Sequence, residues 1–508
     1  MKIALFVKNT IILTVYAIVL RLIGMMFRIY MTNKIGAECT GLYQLIFSVY
    51  MLAAACVTGG ISVAVTRLVA DASVCGGKAD IRRIMRKSVG MTVGIGIIVT
   101  AAVFVLAPVI GQWWIGDVRS VISIRILAFS LPFMGISSCV KGYFTARRNA
   151  ITPSNAQMFE QFVRIFMIGF LLVRFASPDI ARTCAYVLIG DTVAEFCSCM
   201  LIWLLYKRDY RKLQIHADRK QAPPIIRLLF RIAAPISAGR LLNSFLRTTE
   251  NLLIPQSLQK YGGSKTAALE QFGMLKGMAM PLLFFPSSML LSMSSLLIPE
   301  ISQAHIQQNH QKIYNAVNKA LKITLQISIL IGGLFVVTAQ DLGYLIYQSD
   351  EVGFLIRVLA PIVPFMYLEC ITDGILKGLN QQNHSLLYTT MDSVLRILLI
   401  FILVPQKGMI GFLIMMIFSN VLTSTLNLHR LIRVSEVRFD TSNWVCKPLL
   451  ATVPGIAAGF FLQTMALPAL LRILLQAGVF GGCYAVVLWC TKGVSKADFR
   501  FIRLKKSM

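Results

Sequence analysis

Acidic residues are scarce in this chain of 508 residues. It has 22 Asp and Glu against 50 Lys and Arg, and charged residues together make up only 14% of the sequence. Soluble globular domains contain about 25% charged residues, so an ordinary soluble domain is excluded. Mean hydropathy is +0.70, and apolar runs of about 20 residues recur along the whole length. The sequence therefore predicts an all-α polytopic membrane protein.

Motifs of catalysis and metal binding are also missing. The five histidines are scattered, the eleven cysteines include no C-x-x-C, and neither a Walker A nor a G-x-S-x-G pattern occurs. We therefore expect no enzyme activity, no metal and no cofactor. The cysteines are interpreted as small core residues of helices, not as disulfides.

The positive charge indicates topology. We predict about fourteen transmembrane helices, numbered in order, near residues 9–32, 41–66, 88–110, 121–146, 153–175, 182–206, 225–254, 267–298, 316–339, 350–376, 385–404, 408–430, 446–464 and 468–490. The external loops are predicted to be short, with Pro255–Ala267 among the longest. Most Lys and Arg fall in the segments on the same side as the N-terminus. The positive-inside rule then places both termini in the cytoplasm of a multi-pass protein of the bacterial plasma membrane. Since this distribution explains the basicity, nucleic-acid binding is not expected.

The chain repeats itself at an offset of about 232 residues. Arg125–Met134 reads R-I-L-A-F-S-L-P-F-M and Arg357–Met366 reads R-V-L-A-P-I-V-P-F-M. The same offset relates two acid-x-x-x-Arg pairs, Glu160/Arg164 and Asp392/Arg396. Internal repeats with a substrate site at their interface are typical of secondary transporters.

The repeat predicts the domain organisation. We expect an N-terminal lobe of six helices (1–206), a basic cytoplasmic linker (207–224) and a C-terminal lobe of six helices (225–432). Residues 433–508 hold two unrepeated helices and a basic cytoplasmic tail. Because six is even, both lobes enter the membrane in the same orientation. The repeated mid-helix prolines, Pro132 and Pro364, are interpreted as hinges for alternating access or as static kinks.

Arginines within the helices are costly in a bilayer and need a partner. Arg21 and Arg28 lie on one face of the first helix, with no acid within four residues. Arg240 and Arg247 repeat this spacing on helix 7, where Glu250 can neutralise Arg247. Guanidinium groups bind phosphate bidentately, so an anionic, phosphate-bearing substrate is one interpretation. Pairing with acids on other helices is the alternative.

Acidic residues form patterns too. Asp191 and Glu195 lie on one face of helix 6, with no cation nearby in the sequence. A stripe on helix 10 consists of Glu369, Asp373 and Lys377. Such clusters are candidates for Na⁺ or H⁺ coupling, although pairing with the helix arginines is equally open. The two acid-x-x-x-Arg pairs are predicted to be structural.

Several stretches resemble one known family. They are Gly36–Gln44, Lys141–Pro153, Glu160–Arg164, Phe272–Pro286 and Ile298–Ser302. Their sequences resemble the stage V sporulation protein B group of polysaccharide exporters. This group belongs to the MOP superfamily, with the MurJ lipid II flippases and the MATE exporters. The resemblance implies two six-helix lobes, and two extra helices that hold a lipid tail. It also implies transport of a polyprenyl-pyrophosphate-linked glycan from the inner to the outer leaflet.

The resemblance further implies roles for individual residues. Arg21, Arg28 and Lys276 would bind the pyrophosphate, and Glu250 and Asp392 would take part in ion coupling. MurJ-like proteins carry an arginine in helix 2, whereas residues 41–66 here contain no charged residue. The resemblance therefore leaves open which lipid-linked glycan is carried. Membrane lipids and cell-wall synthases are the expected partners. A MATE-type cation-coupled drug exporter and a membrane enzyme acting on polyprenyl lipids are the alternatives.

Overall fold

The computed structural model describes residues 2–75, 78–175, 179–213, 225–465 and 467–493, and its regular secondary structure in these ranges is entirely helical. The helices up to the middle of the chain are α1 (Lys2–Thr58), α2 (Ile61–Cys75), α3 (Lys78–Val109), α4 (Ser120–Ala128), α5 (Leu131–Ala146), α6 (Ile151–Arg174), α7 (Ile180–Arg211), α8 (Ile225–Lys260) and α9 (Lys265–Phe272). Those that follow are α10 (Met280–Phe284), α11 (Ser287–Ile306), α12 (His310–Tyr347), α13 (Asp350–Leu359), α14 (Val363–Gly378), α15 (Gln382–Ser435), α16 (Lys447–Gln463) and α17 (Ala469–Cys490). The expected all-α fold is confirmed.

Ten helical segments in the described ranges are long and apolar enough to cross a membrane. Two of them, Ile18–Val74 and Gln382–Ser435, contain 57 and 54 residues. At the helical rise such a segment is about 80 Å long, more than twice a hydrocarbon core of roughly 30 Å. Each contains a kink at a glycine with positive φ, Gly36 (77°) and Gly408 (59°), a conformation that glycine adopts without a Cβ clash. Each long segment therefore corresponds to two predicted spans. In the first, 9–32 lies in α1 before Gly36, and 41–66 covers the rest of α1 and the start of α2.

One predicted loop is mostly helical. The stretch Pro255–Ala267 reads as one of the longest external loops, but α8 continues through Pro255 to Lys260 and α9 begins at Lys265. The buried Pro255 is tolerated within α8 even though it lacks an N–H group. Ser264 caps α9 by accepting a 3.1 Å hydrogen bond from the Ala267 backbone N–H. The connection is thereby reduced to residues 261–264.

Both repeated prolines lie where a helix is interrupted. Pro132 follows a turn between α4 and α5, and Pro364 follows the 3₁₀ segment Ala360–Ile362 between α13 and α14. Each occupies a first-turn position of its helix, where a missing N–H group leaves no hydrogen bond unmade. Movement about these breaks stays a prediction.

The chain divides into two compact units, Met1–Gly273 and Met274–Met508. The boundary falls at the start of a π-helical segment, Gly273–Ala279. Of the predicted basic linker, residues 214–224 lie outside the described residues, as do residues 494–508 of the predicted tail. The predicted lobe boundaries, 1–206 and 225–432, stay a prediction.

Close helix contacts hold the first unit together. Gly41 of α1 lies against the backbone of α9, where an added Cβ would be 2.1 Å from the Leu269 carbonyl oxygen. The Gly60 N–H, just before α2, donates a 2.8 Å hydrogen bond to the hydroxyl of Ser237 in α8. These contacts fix α8 and α9 against α1 and α2.

The two unrepeated helices are anchored within the second unit. Helices α16 and α17 match the predicted spans 446–464 and 468–490. An ion pair joins Arg472 of α17 to Asp341 of α12, whose side chain is 6% exposed. Gly455 and Gly459 lie against Phe480 and Val337 at distances that leave no room for a Cβ. Helices α16 and α17 are therefore packed parts of this unit.

Candidate functional site

The arginines of α1 are open to a ligand. Arg21 is exposed and Arg28 is half-buried. Neither side chain makes a hydrogen bond or ion pair with the described residues. Arg28 interacts electrostatically with the phenol of Tyr43 in the second half of the same helix. Their guanidinium donors therefore stay available to an anion.

The arginines of α8 differ from each other. Arg240 donates a 2.7 Å hydrogen bond to the Gly59 carbonyl oxygen, at the break between α1 and α2. Arg247 is exposed and makes no ion pair with the described residues. Glu250, three residues further along α8, is buried and has an interaction partner. Neutralisation of Arg247 by Glu250 stays a prediction.

Lys276 lies in the π-helical segment and belongs to the second unit, whereas all four arginines belong to the first. Its side chain is half-buried and has an interaction partner. The structure thus brings the arginines into one unit, and the joint site with Lys276 stays a prediction.

A cluster of acids surrounds one arginine in the first unit. On α6, Arg164 forms the predicted pair with Glu160, 2.7 Å from Nη2 to Oε1. Its Nε also lies 2.8 Å from Oδ1 of Asp191 on α7. Asp191 accepts a 3.2 Å hydrogen bond from the hydroxyl of Tyr43. The cation that the sequence of α7 lacks is therefore supplied by a neighbouring helix.

Glu195 completes this cluster, one helical turn after Asp191. It is 9% exposed and makes no hydrogen bond or ion pair with the described residues. It interacts electrostatically with Glu160, Asp191, Arg164 and Lys141, so both acids and cations surround it. A buried carboxylate without a direct partner is costly, and proton uptake or a bound cation relieves that cost.

The acids of the second unit are paired more simply. Asp392 forms a 2.8 Å ion pair with Arg396, as predicted, and it also accepts a hydrogen bond from the Ser419 hydroxyl. Asp373 pairs with Lys377 at 2.6 Å and accepts a hydrogen bond from Ser385. Each of these acids has its own cation.

A second ion cluster in the first unit lies beside the kink of α1. Arg119, in the loop between α3 and α4, contacts Glu38 at 2.9 Å and Asp117 at 2.8 Å. Lys265 at the start of α9 lies 3.4 Å from Asp117. Sequence reasoning missed this cluster because its members come from three separate segments. The nearest signal was the D-x-R spacing of Asp117 and Arg119 in a short loop.

The protonation of Asp117 depends on this cluster. Burial raises the pKa of its carboxyl, but hydrogen bonds from the Arg119 side chain and backbone, with the charges of Arg119 and Lys265, outweigh that effect. The net pKa of Asp117 lies below the ordinary value of 3.8. The carboxyl is therefore ionised at neutral pH and links α1, the loop and α9.

Comparison with known proteins decides the family. The family model described as "Polysaccharide biosynthesis protein" matches residues 6–305, more than half of the chain. The chain belongs to this family. A second family model, MatE, matches residues 260–402 of this polysaccharide biosynthesis family member. The predicted membership of the MOP superfamily is confirmed.

Relatives of this family member share its length. Stage V sporulation protein B of Bacillus subtilis (strain 168) is 25% identical over 98% of the chain and 97% of its own length. Lipid II flippase MurJ of the same organism is 20% identical over 77% of the chain and 76% of its own length. The structure of lipid II flippase MurJ in an inward closed conformation aligns with a TM-score of 0.73, at 12% identity, covering 94% of this chain and 98% of that one. This family member is a membrane-embedded MOP superfamily transporter with a MATE/MurJ-like fold.

Proposed function

We propose that the protein flips a polyprenyl-pyrophosphate-linked glycan from the cytoplasmic to the outer leaflet by alternating access. A lipid II-type peptidoglycan precursor or a related polysaccharide unit is the substrate class. Both termini lie in the cytoplasm, and the breaks at Pro132 and Pro364 act as hinges. Arg21 and Arg28 contact the pyrophosphate first, and Arg240, Arg247 and Lys276 add positive charge.

The open donors of Arg21 and Arg28 carry this proposal. Two arginines inside an apolar helix, neither hydrogen-bonded nor ion-paired within the described residues, need an anion to offset the cost of insertion. A pyrophosphate offers several oxygens and more than one charge, which suits two guanidinium groups on one helix face. The names of the relatives, a sporulation protein and a lipid II flippase, support a cell-envelope glycan as the cargo.

Coupling to an ion gradient forms part of the proposal. Of the acids singled out from the sequence, Glu195 lacks a direct partner among the described residues. Asp191, Asp373 and Asp392 are each paired with a cation, and Glu250 has an interaction partner. We therefore assign the exchange of H⁺ or Na⁺ to Glu195, with the other acids in supporting roles.

A MATE-type exporter of cationic drugs is the second candidate function. The acid-rich cluster around Arg164 and the match to the MatE family model favour it. An exporter of cations requires an acidic substrate cavity. The open arginines of α1 oppose that requirement, so we rank this function second.

The first experiment reconstitutes the full-length protein in liposomes with fluorescent lipid II and follows how much becomes accessible on the opposite face. Arg28→Ala should lower the flipping rate about tenfold to a hundredfold, because a charge-assisted hydrogen bond contributes about 1.5–3 kcal/mol. Arg28→Lys should retain part of the rate, since it keeps the charge but not the bidentate geometry.

Arg208→Ala is the matched control, since it removes the same charge at the exposed end of α7. It should flip at the wild-type rate. Wild-type flipping by both Arg21→Ala and Arg28→Ala would contradict the anion site. Export of a cationic dye without flipping of lipid II would favour the MATE-type function.

A further inference from the structure

Two cysteines of the first unit meet near the kink of α1. Cys39 lies three residues after Gly36, and Cys184 lies in the first turns of α7. Their sulfur atoms are 3.0 Å apart, and each residue is only 1% exposed. Both are free thiols in the structure. The residues are 145 positions apart in sequence, so the fold alone brings them together.

The geometry is close to that of a disulfide. A disulfide bond is about 2.05 Å long, so the two sulfur atoms need to approach by about 1 Å. The Sγ of Cys184 also lies 3.5 Å from the Cys39 carbonyl oxygen, which holds the thiol over the turn that carries its partner. No other described pair of cysteines is recorded in contact. Cys139, which is equally buried, contacts the hydroxyl of Thr92 at 3.1 Å instead.

The backbone on both sides of this thiol pair is held in place. Glu38 is fixed by Arg119, and Gly41 is packed against the Leu269 carbonyl. On the other side, Asp179 caps α7 by accepting a 2.9 Å hydrogen bond from the Ala181 N–H. Both cysteines therefore lie on backbone that other contacts position.

We propose that Cys39 and Cys184 are an oxidisable pair that closes into a disulfide and ties the start of the second span to the start of the sixth. The thiolate of one cysteine attacks a small disulfide oxidant and releases one of its thiols. The second cysteine then attacks the mixed disulfide and releases the other. Two protein thiols become one disulfide while one external disulfide becomes two thiols, so atoms and electrons balance.

The compartment of this reaction rests on the proposed orientation. With the N-terminus in the cytoplasm, the kink of α1 and the start of α7 lie at the outer face, where disulfides persist. Because both thiols are buried, exchange takes place before α1 and α7 pack or during a transient opening between them. Once closed, the bond is shielded from reductants by the same burial.

The test incubates purified full-length protein with either oxidised glutathione or a reductant just below its unfolding temperature, where α1 and α7 open transiently. The protein is then denatured, alkylated with N-ethylmaleimide, digested and analysed by mass spectrometry. The oxidised sample should contain a peptide linking Cys39 to Cys184, and two fewer adducts than the eleven cysteines allow. Its unfolding temperature should exceed that of the reduced sample by about 5 °C or more.

Cys139→Ser should behave like wild type, whereas Cys39→Ser and Cys184→Ser should lose both the linked peptide and the redox-dependent unfolding temperature. A full set of alkylated cysteines after oxidation would overturn the proposal, as would a linkage that persists in Cys39→Ser. The readout is independent of transport, so failure of the flippase proposal leaves it unaffected. Failure of the thiol pair likewise leaves the flippase proposal intact.

Discussion

The two arginines that the repeat places in equivalent positions have different surroundings. In the first unit, Arg164 contacts Glu160 on its own helix and Asp191 on the next, with Glu195 one turn further along. In the second unit, Arg396 contacts Asp392 on its own helix and the hydroxyl of Ser419 after the Gly408 kink. One turn beyond Ser419 the residue is Thr423, which is also buried.

This difference changes the charge of each cluster. The first unit places Glu160 and Asp191 against one arginine and Glu195 beside them, with Lys141 also acting on Glu195. In the second unit, the Asp392 carboxylate and the Ser419 hydroxyl contact the other arginine. Arg396 forms its ion pair with Asp392, an acid of its own helix. Surplus carboxylate in the first cluster requires a proton or a cation when the substrate site is empty. Under the proposed function, the first cluster exchanges the coupling ion and the Asp392–Arg396 pair is structural.

Removing the two arginines should give the largest contrast. Arg164→Ala leaves acids of the first cluster buried without their cation and should lower the free energy of unfolding by about 3–5 kcal/mol. Arg396→Ala leaves Asp392 with its hydrogen bond from Ser419, and should cost about 2 kcal/mol. Thermal unfolding of the detergent-solubilised variants, followed with a thiol-independent probe, measures both.

Neutralising an acid should rescue the first variant. Adding Asp191→Asn to Arg164→Ala should recover part of the lost stability, because one uncompensated carboxylate is removed. Equal losses for Arg164→Ala and Arg396→Ala would show that the two clusters are equivalent in charge.

A smaller and more specific contrast concerns coupling. Glu195→Gln should keep the fold, but flipping in liposomes should no longer respond to an imposed H⁺ or Na⁺ gradient, with about a tenfold loss of the driven rate. Thr423→Val, one turn beyond Ser419 in the second unit, should leave the gradient response within about twofold of wild type. An unchanged gradient response in Glu195→Gln would remove ion exchange from the first cluster.

The sequence predicted the fold class well because its signals are local. Apolar runs and the two intrahelical pairs, such as Glu160 with Arg164, depend on spacing along one segment. The structure keeps both features. The repeated prolines, predicted to lie mid-helix, instead lie in the first turns of α5 and α14. The helical continuation through Pro255 was missed, since a proline followed by polar residues ordinarily indicates a loop.

Contacts between distant segments could not be predicted. Arg164 on α6 pairs with Asp191 on α7, and Cys39 contacts Cys184, which lies 145 positions away in the sequence. The sequence around each of these residues does not specify which helices pack against each other. The open state of Arg21 and Arg28 was anticipated only because no acid lies near them in sequence.

The smallest expected effect concerns the ion cluster around Asp117, which lies outside the predicted spans and also belongs to the first unit. Asp117→Asn should lower the free energy of unfolding at neutral pH by about 1–2 kcal/mol, because it weakens the hydrogen bonds from the half-exposed Arg119. The folded state lowers the pKa of Asp117, so its stabilisation is fully present above the ordinary value of 3.8 and is lost as pH falls through the lowered pKa. Unfolding temperatures of wild type and Asp117→Asn should therefore differ by a constant amount from about pH 5 to pH 8 and converge only below about pH 4. Convergence at higher pH would mean that the carboxyl is not held ionised by Arg119, and that α1, the loop and α9 are joined by packing alone.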